Sequence, residues 1–166
     1  MVTSTPVLPS TALVLEHFVP VGGVVVGDDG TATSRAAVRW SAADAVRRGG
    51  ALHVVRAWSL TTAPRPRTWA VGYVPPFTDF EDAVREELAR TRRPLVADLA
   101  GLDVHWHAVH GRPAAVLATA STGAELLVVG SRGRGELREL LLGSVAAAVL
   151  HSASCPVVVV RDRASS

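Results

Sequence analysis

Residues 130 to 144 read GSRGRGELRELLLGS and follow the apolar run Glu125-Leu126-Leu127-Val128-Val129. Gly130 and Gly133 bracket a tight strand-to-helix turn, where glycine tolerates positive φ and lets backbone N–H groups reach an anion with no Cβ in the way. Arg132 and Arg134 flank Gly133, and a guanidinium fork matches phosphate oxygens; the same side chains would serve equally as solvated loop charges. Gly143-Ser144 falls inside a leucine-rich stretch that reads as a helix from about Leu137 to His151. A glycine in a helix interior costs about 1 kcal/mol relative to alanine. Either it permits close packing of helix on sheet, or it admits a phosphate or ribose that the Ser144 hydroxyl can hydrogen-bond. Asp28 and Asp29, after the run Val24-Val25-Val26-Gly27, are the carboxylates placed to meet such a ligand or to hold a metal with it.

Other chemistries find less support. The seventeen basic residues are all arginine. With no lysine, the phosphate-loop NTPase motif and every lysine-nucleophile or Schiff-base mechanism are closed. His105 and His107 share a face of one strand, with His110 nearby, but no cysteine or carboxylate pairs with them as a metal set beyond Asp103; a half-exposed strand face accounts for them. Cys155, before Pro156, reads as a small core residue. His151 at a helix end suits an interaction with the last carbonyls. Ser131 lies outside any G-x-S-x-G elbow, and no Ser/His/Asp order stands out.

These groups need elements to hold them. Gly23 to Gly27 reads as a buried strand, and Thr33 or Ser34 can cap a helix whose apolar side is Ala36, Ala37, Trp40, Ala43 and Ala45, stopped by Gly49-Gly50. A strand at Ala51 to Trp58 follows. Ser59 to Phe80, rich in proline and aromatics, is too long for an ordinary connection and reads as a loop able to cover a site. Then come a helix divided at Pro94, a strand after Asp103, a short helix from Pro113 to Ser121, a strand from Glu125 to Gly130, the helix containing Gly143, and a strand from Pro156 to Arg161. Short apolar strands alternating with helices predict an α/β fold with an open parallel sheet and helices on both faces. Ligands of such sheets bind beyond the carboxyl ends of the strands, where strand order reverses.

The chain of 166 residues suits one domain, with residues 1–20 as a flexible extension, 21–163 as the domain and 164–166 as a tail. No apolar run approaches the roughly 18 residues of a membrane span, so no membrane partner is expected. A net charge of +2 gives no nucleic-acid footprint. Residues 1–20 lack the basic and apolar regions of a signal peptide, and one cysteine makes no internal disulfide; a cytoplasmic location is expected.

Taken together, Gly130-x-x-Gly133, nine residues, then Gly143-Ser144 form the G-2x-G-9x-G-[ST] signature of ATP-binding universal stress proteins. The chain resembles that family from Val21 to Arg163, through VVVGDDGTATSRAAVRWSAADAVRRGGALHVVRAW, HGRPAAVLATAS and LLVVGSRGRGELRELLLGSVAAAVLHSASCPVVVVR. The resemblance implies a Rossmann-like fold of the adenine nucleotide alpha hydrolase type, with five parallel strands in the order 3-2-1-4-5. It implies ATP as ligand, held by the backbone at Val129, Gly130 and Gly133 with Gly143, Ser144, Val145 and Ala146. Gly27 and Asp29 would lie against the nucleotide, and the Ala57 backbone would meet adenine. Asp28 departs from the family, whose residue there is more often apolar or neutral; a triphosphate beside it calls for Mg²⁺ or for Asp28 to face solvent. The resemblance further implies a stress-response or signalling module rather than an enzyme, and a homodimer through edge strand 157–160. A slow ATP hydrolase or nucleotidyl-transfer enzyme on the same fold, and a cyclic AMP or AMP binder, are the alternatives.

Overall fold

The computed structural model describes residues 14, 15, 17–133 and 142–162. Their elements run β1 (Val14–Leu15), β2 (Val24–Gly27), α1 (Ala32–Arg48), β3 (Leu52–Trp58), α2 (Phe77–Arg92), β4 (Val104–His110), α3 (Pro113–Ser121), β5 (Leu126–Gly130), α4 (Ser144–Ser152) and β6 (Val157–Val160). A 3₁₀ turn at Arg93–Leu95 follows α2, because Pro94 cannot continue an α-helical ladder.

The sheet is parallel throughout, in the order β1-β4-β3-β2-β5-β6. From β2 onward this is the expected 3-2-1-4-5 order, with four helices among the described residues. Val24, Val25 and Val26 are wholly buried, as a central parallel strand covered on both faces demands. Alternate residues feed two cores. Val24, Val26, Leu52, Val54, Leu126 and Val128 meet Ala37, Val38, Ala42 and Ala45 of α1. Val25, Val55, Ala57, Val109, Leu127 and Val129 meet Val116, Leu117 and Ala120 of α3 and Ala146 and Val149 of α4. Phe80, Val84 and Leu88 of α2 extend the first side over Trp58 and Ala108.

Local details differ from the sequence reading. Thr31, not Thr33 or Ser34, caps α1; its hydroxyl accepts from the Ser34 N–H at 3.1 Å. Trp40 and Ala43 face outward, and the buried stripe instead takes in Ser34, Ser41 and Asp44. Asp44 is tolerated there because Arg47 and Arg48 hold its carboxylate, and the Arg48 hydrogen bond keeps its pKa below the ordinary value. The extension expected to be flexible, 1–20, is partly built into the domain. Val14 and Leu15 pair with Ala108 and Val109 of β4, since that strand would otherwise leave its ladder groups open, and Phe18 stacks on His107 at 3.9 Å between ring centroids. No described helix is long and apolar enough to cross a membrane.

Candidate functional site

β2 lies between β3 and β5, so the strand order reverses beside it and the carboxyl ends of β2 and β5 open a crevice. A cavity of about 320 Å³ occupies this point. Gly27, Asp28, Asp29, Ala57, Val129, Gly130, Arg132, Gly133, Gly143, Ser144, Val145 and Ala146, all anticipated from sequence, line it together. Arg134 lies outside the described residues. Ser34, Arg56, Thr62, Pro113 and Leu117 complete the wall and were not anticipated.

Gly143 lies at the start of a helix, not inside one. Its φ of −74° and ψ of 160° make it the extended cap before Ser144, so α4 begins at the cavity; residues 134–141 of the expected helix lie outside the described ones. A helix start gives its first-turn N–H groups no intrahelical acceptor and a partial positive charge, which together attract anions. The Val145 and Ala146 amides stand in that turn on the cavity wall. The two halves of the motif are tied directly. The Gly143 N–H donates to the Ser131 carbonyl at 2.7 Å, and the Ser131 N–H donates to the Val160 carbonyl at 2.7 Å. Ser131 is thereby a buried link between the β5 turn and α4.

Positive φ is not what selects Gly130 and Gly133, since neither adopts it. Space selects them. A Cβ on Gly130 would lie 3.0 Å from Thr33 Cγ2 and 3.3 Å from the Thr33 carbonyl carbon, while one on Gly133 would lie 3.1 Å from Asp29 Oδ2. Gly130 therefore lets α1 approach β5, and Gly133 lets the turn close over the carboxylate.

The two aspartates are held differently. Asp28 is buried rather than turned to solvent; its Oδ1 accepts from the Ser34 hydroxyl at 2.7 Å and the Gly30 N–H at 2.9 Å, while Oδ2 is buried with no hydrogen-bond partner. Asp29 Oδ1 accepts from the Thr31 N–H and hydroxyl at 3.0 and 2.7 Å. Opposite them, Leu117, Pro113, Val129 and Ala57 give an apolar wall. Arg56 reaches into the same region, donating from Nη1 to the Ala57 carbonyl at 2.9 Å. A cavity with an amide-rich anion cradle at one end and an apolar wall at the other suits a phosphorylated aromatic ligand.

Among the described residues, no group of three or more His, Cys, Asp or Glu side chains can hold a metal. His53, His105 and His107 instead stack and hydrogen-bond on one sheet face, with His53 Nδ1 at 3.2 Å from His107 Nε2. Cys155 packs at the edge of the core, where burial raises its thiol pKa, and His151 Nδ1 donates to the Ala147 carbonyl at 2.8 Å.

Solved structures similar to this one carry the same architecture. One is a universal stress protein in complex with cAMP, 24% identical with a TM-score of 0.60, covering 85% of this chain and 97% of its own. A universal stress protein from Lactobacillus plantarum is 19% identical with a TM-score of 0.65 and covers 85% and 98%. One from Archaeoglobus fulgidus in complex with dAMP is 20% identical with a TM-score of 0.56 and covers 83% and 96%. Among curated proteins, a universal stress protein of Mycobacterium tuberculosis is 37% identical over 149 residues, 84% of this chain and 48% of its own length. One from Mycolicibacterium smegmatis is 34% identical over 143 residues, 83% and 47% respectively. The chain thus spans about half the length of the curated relatives it matches. The profile of the universal stress protein family matches residues 22–161, nearly the whole sheet with its helices, and the chain belongs to that family.

Proposed function

We propose that the cavity binds an adenine nucleotide, in the first place ATP, and that the chain acts as a nucleotide-binding stress-response or signalling module rather than an enzyme. The observation that carries this reading is the hydrogen bond from Gly143 to Ser131. It draws two glycine segments separated in sequence onto one anion cradle, in the same cavity as the carboxylates of Asp28 and Asp29 that follow β2. Phosphates and ribose would be held by the backbone at Val129, Gly130 and Gly133 and by Ser144, Val145 and Ala146, with Arg132 and Arg134 as charge support. The base would lie toward Ala57, Leu117 and Pro113. The similar proteins solved with cAMP and dAMP support an adenine ligand.

The cavity residues fit Mg²⁺ only as an ion arriving with its nucleotide, for the wall offers two carboxylates, and this ion keeps most of its shell from phosphate and water. Asp28 Oδ2, buried without a hydrogen-bond partner, and Asp29 would hold it. The charge it supplies would offset the repulsion between these carboxylates and a triphosphate. A hydrolase would need a base to orient water. Asp28 Oδ1 and Asp29 Oδ1 are instead committed to loop and helix-cap hydrogen bonds, which favours the binder. A monophosphate reading, AMP or cAMP, rests on the same two neighbours. Calorimetric titration of ATP, AMP and cAMP with and without Mg²⁺ separates these ligands. Tightest binding by ATP with Mg²⁺ supports the reading; turnover lost in Asp29→Ala would replace it with the hydrolase.

The reading includes a homodimer through β6. This strand holds β5 on one side and has no described strand on the other. Such an apolar edge invites pairing with a second copy. A cytoplasmic location goes with it, in keeping with the free thiol of Cys155.

A further inference from the structure

A cation lies buried inside the sheet. Arg56 occupies an interior position of β3, 5% exposed, between Val54 and Trp58, which both sit in the apolar core. An aliphatic side chain would close that core without desolvating a guanidinium, and a buried ion pair by itself gains little over such a residue. Arg56 is instead bonded in three directions. Nε donates to Glu87 Oε2 of α2 at 3.1 Å, and Nη2 is in ion-pair contact with the same oxygen at 3.0 Å. Nη1 donates to the Ala57 carbonyl at 2.9 Å, and Nη2 donates to the Thr62 carbonyl at 3.2 Å. These acceptors belong to a helix, the end of β3 and the start of the long 59–76 connection. Arg56, Ala57 and Thr62 all line the cavity.

We infer that Arg56 is the positioning residue for the base end of the nucleotide site, fixing the Ala57 carbonyl and the first turn of the 59–76 loop so that the base meets a preformed edge. The inference rests on the nucleotide reading above. A carbonyl oxygen has two lone pairs, so the bond from Arg56 leaves Ala57 one with which to accept from an exocyclic amino group. Held in place, that acceptor favours a base carrying an amino group over one carrying an oxygen, which would meet it as a second acceptor. Glu87 is the counter-charge that lets the guanidinium stay buried in this position.

The test pairs Arg56→Met with Glu87→Gln, so that no carboxylate is left buried without its cation. Adenosine, inosine and ATP are titrated calorimetrically into wild type and the double variant, after thermal unfolding has shown both to be folded. Adenosine and ATP should weaken by a similar factor, on the order of tenfold, and the preference for adenosine over inosine should shrink. Trypsin should also cut faster after Arg67, whose side chain is already 87% exposed, once the loop is released from Arg56. If the double variant does not fold, Arg56→Lys carries the test, because an ammonium cannot span the same acceptors; the same pattern is expected. Unchanged affinity and unchanged base preference in a folded variant would reduce Arg56 to a structural ion pair and overturn the inference. A loss for ATP alone would also overturn it, by placing Arg56 at the phosphates. Wild type that binds none of the three would overturn the nucleotide reading itself, before any variant is compared.

Discussion

At Gly133 a Cβ would lie 3.1 Å from Asp29 Oδ2, so any side chain must displace the carboxylate or the turn that covers it. Gly133→Val should cost nucleotide affinity tenfold or more, roughly 1.4 kcal/mol, with little change in unfolding midpoint, since the residue is a half-buried loop position. Retained binding in that variant would separate the glycine from the ligand. The histidines make a pH prediction. Burial, with the neighbouring His53 and His105 adding to it, pushes His107 down to about 4, and burial lowers His53 as well. A base whose folded pKa lies below its unfolded value binds its proton more readily in the unfolded chain. Stability should therefore be indifferent to these groups above about pH 6.5 and fall as pH drops from there toward 4. Urea midpoints measured across that window check the slope, and His107→Phe should flatten it; an unchanged slope would remove His107 as its source. The glycine spacing and the aspartates after β2 were legible in the sequence because each is a local pattern. Arg56 was not, because in LHVVRAW it reads, like His53, as a polar residue in a largely apolar strand, and its partners Glu87 and Thr62 are brought to it only by the packing of α2 and the loop.

The elements show where periodicity misleads. Leu140-Leu141-Leu142 and Val145-Ala146 share one helical period, so the sequence runs a helix through Gly143, whereas the backbone there is extended and caps α4. Period reports which side chains are apolar and says nothing of where a helix must begin for its amides to reach a ligand. The start of α1 was misplaced by a few residues for a related reason. Thr31, Thr33 and Ser34 are all capable caps, and only the bond from Ser34 N–H to the Thr31 hydroxyl distinguishes them. The end of α1 was clear from its glycine. Gly49 has φ 65° and caps the helix through backbone bonds to Ala45 and Val46, and a Cβ there would meet nothing within 4 Å. Gly49→Ala should therefore cost only the left-handed conformer, about 1–2 kcal/mol, read as a lower urea midpoint. A cost near zero would mean that the cap rearranges freely.

For the whole molecule, parallel strands with helices on both faces place every strand's carboxyl end on one side, which is why distant segments meet at a single cavity. The sheet order followed from the family resemblance, but the sixth strand did not, because Val14–Leu15 is too short to show a period and pairs with β4 across a long stretch of chain. The opposite margin carries the oligomer prediction. Leu127 and Ser131 N–H groups bond the Pro156 and Val160 carbonyls, so the even-numbered residues of β6 face β5 and the Val157 and Val159 amides point to the open edge. Val159→Pro should remove an outward donor without breaking the ladder to β5, and turn a dimer into monomers by light scattering with the fold intact. A wild type that is already monomeric at micromolar concentration would contradict the edge-paired dimer. The central claim is tested most directly by titrating ATP with Mg²⁺ into freshly purified wild type and Gly133→Val, after denaturing a sample to identify any nucleotide it carried. Saturable binding or a co-purified adenine nucleotide in wild type, lost in the variant, is the predicted result; a wild type that carries none and gives no saturable binding of ATP, AMP or cAMP would contradict the account.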